Sequence, residues 1–78
     1  MKTVADLMQA AFPPERPARS AEYRDGVKQA LQSRLEGWRT QCPYPEGSAA
    51  CDAWASGTEE GHLIYRIEQK RQRAGANK

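Results

Sequence analysis

All five prolines of this chain fall in two places, and that punctuation constrains the fold more than any other feature. Pro13, Pro14 and Pro17 stand in "PPERPARS", and Pro43 and Pro45 stand in "CPYPEGS". Proline lacks the N–H that a helix or a central strand uses, and it pushes the residue before it toward extended backbone. Three segments remain around these breaks. Each carries apolar residues at helical spacing, and none shows the alternation of a strand.

The first segment, "TVADLMQAAF", predicts a short helix. Thr3 is placed to cap it, and Asp6 suits a helix N-terminus. Val4, Leu7, Met8, Ala11 and Phe12 share one face. The second segment predicts a helix over about 20–39, capped by Ser20. Tyr23, Val27, Ala30, Leu31, Leu35 and Trp38 recur there in steps of three and four, giving a broad apolar stripe. Gly26 and Gly37 each cost ~1 kcal/mol relative to alanine, which suggests a close helix approach or a frayed end near Gly37. Arg24 and Arg34 fall within the apolar arc and are expected to snorkel at its margins.

The third segment predicts a helix over about 48–71, capped by Ser48. Ala50, Ala53, Trp54, Gly57, Gly61, Ile64 and Tyr65 form one face, which glycines four apart make flat. Leu63 and Ile67 form a second stripe on the opposite side. The second helix is expected to take the Trp54 stripe and the first to cover Leu63 and Ile67. The alternative is a partner or self-association surface.

The expected architecture is all-α: an antiparallel helical hairpin joined by the CPYP corner, plus a short N-terminal helix. Residues 1–72 form a single small domain and 73–78 a flexible basic tail. Trp38, Trp54, Leu31, Val27, Tyr65 and Ile64 are the expected core. A chain of 78 residues makes one domain that buries only ~60% of its unfolded surface. No apolar run approaches the ~20 residues of a membrane span. Asp6 and Gln9 interrupt any signal-peptide core, so the expected location is cytoplasmic, where both thiols stay reduced.

The soft ligands are Cys42, Cys51 and His62, with Asp52 as a fourth candidate. Their spacing does not match the close pairs of structural zinc sites. Cys51 and His62 stand three helical turns apart, too far to share an ion. A Cys42–Cys51 disulfide is conceivable, since the corner could fold back onto the next helix, but a reducing compartment opposes a permanent one. The simpler reading packs Cys51 as a small apolar residue and lets Cys42 begin the corner. Catalysis has little support. There is no nucleophile elbow and no phosphate-binding glycine loop. Glu59 and Glu60 point ~100° apart on the helix, a poor acid–base pair. No enzyme activity, catalytic residue, metal, cofactor or small-molecule substrate is expected.

Net charge is only +2, but it is unevenly placed. Residues 16–41 carry +3 and 62–78 carry +4, around an acidic 42–61 at −4. Arg16, Arg19, Arg24 and Lys28 form one basic group; Arg66, Lys70, Arg71 and Arg73 form another. In an antiparallel hairpin the two groups would meet at one end, suited to a phosphate backbone. Tyr23 and Tyr65 fall near that end, with core packing their simpler role.

From residue 42 onward the chain resembles the ribosome modulation factor family. Cys42, Pro43 and Tyr44 match its CPY motif, and Trp54 and Gly57 match the pattern that opens its second helix. Thr58 stands where the family has a second tryptophan. Upstream, Tyr23 and Gly26 in "EYRDGVKQ" match a further family stretch. The resemblance spans roughly 21–66 and implies a small helical protein in which the CPY motif joins two helices. It further implies a non-enzymatic partner of ribosomal RNA or the ribosome, for which the eight basic residues read from the charge pattern are the expected contacts. The alternative expectation is a phage- or plasmid-encoded protein that binds and inhibits a host protein through Glu59, Glu60, Leu63 and Ile67.

Overall fold

A computed structural model describes residues 2–76 as three helices: α1 (Val4–Ala11), α2 (Ala21–Glu36) and α3 (Ala49–Ala76). The all-α class, two long packed helices and a short N-terminal helix are as the sequence predicts. Each helix begins at its expected cap. Thr3 and Asp6 form a reciprocal capping box, with the Asp6 backbone N–H donating to Thr3 Oγ1 at 3.1 Å and the Thr3 N–H donating to Asp6 Oδ2 at 3.0 Å. The Tyr23 N–H donates to Ser20 Oγ, and the Cys51 N–H donates to Ser48 Oγ. Side-chain oxygens here satisfy N–H groups that the first turn leaves without partners.

Gly37 ends α2 in the left-handed conformation at φ +77°, and its N–H returns to the Ser33 carbonyl. That stop comes before Trp38, which leaves the helix and stands 65% exposed. Trp38 is therefore not a core residue, a correction to the sequence reading. The apolar period continued through it on paper, but the helix that would have turned it inward had already ended.

The direction of α3 is the second correction. The sequence predicts that α2 and α3 run antiparallel; their contacts climb together instead. A Cβ at Gly26 would collide with the Trp54 carbonyl, and one at Gly57 with the Tyr23 carbonyl. One at Gly61 would lie 2.7 Å from the Val27 carbonyl. Further along, Arg34 Nε reaches His62 Nδ1. The two helices thus lie side by side in the same sense, their backbones touching where the glycines stand. Residues 37–48 make this possible. The sixteen residues of α2 rise ~24 Å, and a twelve-residue connection can span ~40 Å. It carries the chain back to the start of α2, where Tyr44 sits near Asp25 and Glu22.

The core lies between the helices. Val27, Ala30 and Leu31 are fully buried, with Val4, Leu7, Tyr23 and Trp54 nearly so. Ile64 and Tyr65 pack against this cluster while half-buried. Trp54 Nε1 donates to Asp25 Oδ2 at 3.1 Å, so its one polar atom is satisfied. The α1 helix packs chiefly against α2, with Val4 and Leu7 inward. It does not cover the second stripe of α3: Leu63 remains 48% and Ile67 45% exposed. Glu68 is buried at 4% exposure, its carboxylate 3.9 Å from Lys2 Nζ. Residues 73–76, expected in a flexible tail, continue α3; Asn77 and Lys78 lie outside the described residues.

Candidate functional site

The parallel register decides where the charges go. The Arg16 group lies with the acidic first half of α3, not with its basic second half. Arg16 itself is engaged. Its Nη1 and Nη2 donate to Glu60 Oε2 and Oε1 at 2.8 and 2.9 Å, and Nη1 also donates to the Ala11 carbonyl at 2.7 Å. The guanidinium lies 4.9 Å from the Phe12 ring centroid. A bidentate pair of this kind holds both charges in one geometry.

Glu60 also accepts a hydrogen bond from the Tyr23 hydroxyl. Its carboxyl is held below the usual range, chiefly by the Arg16 hydrogen bonds, which outweigh the opposing effect of burial, with the Tyr23 hydrogen bond adding to them. The same pair raises the Arg16 guanidinium further above neutrality. Arg19 lies over the Tyr23 ring at 4.1 Å. These contacts fasten the 12–20 linker to α2 and α3. The expected meeting of the two basic groups therefore does not occur. Arg24 and Lys28 are exposed on α2, beside a level of α3 well short of Arg66. Val27 touches both Gly57 and Gly61, so about five to nine residues of helix, ~7–14 Å, separate that level from Arg66, and Arg73 lies ~18–24 Å away.

The second group remains open. Arg66, Lys70, Arg71 and Arg73 are all exposed. Among the described residues, ion pairs form only at Lys2–Glu68 and Arg16–Glu60, so none of these four cations is neutralised. Helical geometry puts Arg66, Lys70 and Arg73 within an arc of ~60°, and His62 continues it toward the N-terminus. Arg71 points away from that arc and lines a shallow groove of about 170 Å³ with Lys2, Leu7 and Ile67.

Arg34 joins this stripe from α2, a residue the sequence reading placed only as a snorkelling margin. Its Nε donates to His62 Nδ1 at 3.1 Å, and its guanidinium stands 5.7 Å from the Tyr65 ring centroid. Burial, followed by the charges of Arg34 and Arg66, holds His62 below its ordinary value. The imidazole is thus neutral at neutral pH and serves as an acceptor that orients Arg34. No local pattern marks this arrangement, because the two residues are 28 apart in sequence. Arg34, Arg66, Lys70 and Arg73 together make a cationic face from two helices. Such a face can take a phosphate backbone through charge and hydrogen bonds from guanidinium forks.

On the opposite end, Cys42 Sγ and Cys51 Sγ stand 2.8 Å apart as free thiols. No group of three or more His, Cys, Asp or Glu side chains suited to a metal ion occurs among the described residues. No helix is long and apolar enough to cross a membrane among them either.

No family model, curated protein or solved structure matches this chain. The resemblance to the ribosome modulation factor family rests on the motif residues Tyr23, Gly26, Cys42, Pro43, Tyr44, Trp54 and Gly57 alone.

Proposed function

We propose that this protein is a non-enzymatic RNA-binding protein, with ribosomal RNA as its target, and that the second half of α3 is the binding surface. The observation that carries this reading is the exposed stripe of Arg66, Lys70 and Arg73, flanked by Arg34 and free of acidic partners. Arg16, Arg19, Arg24 and Lys28 take a different part. Arg16 holds the fold together through Glu60, and the other three supply at most long-range attraction. The motif resemblance supports the choice of ribosomal RNA over other polyanions.

The test is binding of a labelled ribosomal RNA fragment, followed by fluorescence anisotropy across a salt series. Four phosphate contacts to single-stranded RNA give a log–log salt slope of about −3 and a loss of affinity of about 50-fold between 50 and 200 mM salt. Reversing Arg66, Lys70, Arg71 and Arg73 to Glu should abolish binding, while reversing Arg24 and Lys28 should weaken it modestly. Binding that survives the four-fold reversal refutes the reading.

A second reading has its own observation. Leu63 and Ile67 lie exposed one turn apart, with Glu59 beside them in a groove of about 600 Å³. An apolar pair rimmed by charge suits a protein partner, such as the host protein of a phage or plasmid inhibitor. Glu60 belongs to the ion pair with Arg16 and is not available to that partner. Here Leu63→Asp and Ile67→Asp should abolish capture of the partner, with the Arg66–Arg73 reversals neutral.

A further inference from the structure

The two cysteines are brought together by three separate devices. The return segment delivers Cys42 to the start of α3. The Pro45–Ser48 turn reverses the chain, closed by the Ser48 N–H donating to the Pro45 carbonyl at 3.1 Å, with Gly47 left-handed at φ +80°. The Ser48 cap then fixes the first turn of α3, on which Cys51 is the third residue. The outcome is a pair of sulfurs 2.8 Å apart, each in a half-buried residue that a small solute can reach. A disulfide bond is ~2.05 Å long, so closure needs less than ~1 Å of movement.

We propose that Cys42 and Cys51 are a thiol–disulfide site that reacts with a low-molecular-weight disulfide and closes into an intramolecular clip. The exchange is balanced without any other reactant. The Cys42 thiolate attacks one sulfur of the small disulfide, forming a mixed disulfide and releasing one small thiolate. Cys51, deprotonated in its turn, attacks the Cys42 sulfur and releases the second. The two protein thiols are oxidised, the small disulfide is reduced to two thiols, and the two protein protons go to those thiols. The Cys51 thiol is pushed up, chiefly by its hydrogen bond with Cys42 and then by burial, and attack from Cys51 first would give the same product. The clip ties the return segment to α3 at its N-terminal end. Arg66 lies fifteen residues further along the helix, ~22 Å away, so the proposal stands independently of RNA binding.

The experiment treats the folded, reduced protein with oxidised glutathione and reads intact mass and the number of alkylatable thiols. The expected product is a monomer lighter by two hydrogens with no free thiol, formed far faster than in a denaturant-unfolded control. Cys42→Ser and Cys51→Ser should each stop at a single glutathionyl adduct. The closed form should melt about 10 °C above the reduced form, because a short loop is removed from the unfolded ensemble. Reduction by dithiothreitol should restore the original melting temperature. Two glutathionyl adducts on the native protein, disulfide-linked dimers instead of monomers, or closure no faster than in the unfolded control would each overturn the proposal.

Discussion

Replacing Gly57 with alanine sets two effects of opposite sign against each other. In an exposed helix interior the change stabilises by ~1 kcal/mol, because alanine is the better helix former. At Gly57 the new methyl would fall within bonding range of the Tyr23 carbonyl and close to the Val27 backbone nitrogen. Those are backbone atoms of a packed helix and cannot rotate aside. The helices must separate by more than an ångström, which opens gaps around Val27, Leu31 and Trp54 and forfeits a large part of their contact energy. Overpacking at such a site costs ~3 kcal/mol. Net of propensity, Gly57→Ala should destabilise by ~2 kcal/mol, a fall in Tm of roughly 8–16 °C for a domain this small. Gly75 provides the internal control. It lies on the same helix with nothing within 4 Å of its missing Cβ, so Gly75→Ala should be neutral or slightly stabilising. Both are read by thermal unfolding in far-ultraviolet circular dichroism. Should Gly57→Ala melt at or above the wild-type temperature, the close parallel packing of α2 on α3 is wrong.

The two tryptophans should separate sharply. Trp54→Ala empties a buried site and leaves Asp25 without its indole donor, costing ~3–5 kcal/mol. Trp38→Ala, on an exposed residue, should stay within ~0.5 kcal/mol of wild type in urea denaturation. Stability should also fall with acid through Glu60. Its folded-state pKa is depressed, so its contribution is fully present above the unfolded value near 4.5 and is lost as pH falls through the folded value. The Asp6 capping box acts in the same direction. Glu60→Gln should lower stability at neutral pH and flatten the acid limb; an unchanged pH profile would mean that the Arg16 pair contributes nothing.

Much of the fold is legible in the sequence because its signals are local. Thr3, Ser20 and Ser48 announce helix starts by chemistry that acts over three residues. The glycines of α3 announce a flat face because only a missing Cβ lets backbones touch. Direction is not written in such signals. A stripe of apolar residues is the same stripe whichever way the partner helix runs, and only the twelve-residue gap between α2 and α3 hints at a return, since helical hairpins use far shorter loops. The error in direction carries the error in charge with it. Arg16 meets Glu60, 44 residues away, and the Arg34–His62 contact likewise depends on register. Trp38 departs from its period for a local reason: periodicity counts residues, while Gly37 turns the chain out of the helix one residue before it.

The return segment has one more consequence. A connector of four or five residues could not climb back along α2, and α3 would have to dock head-to-tail, with Gly57 and Gly61 facing the wrong partners. The length of this connecting stretch thus chooses between two topologies whose apolar stripes are the same. Selection on the spacing between Gly37 and Ser48 is, in effect, selection on the direction in which α3 runs beside α2.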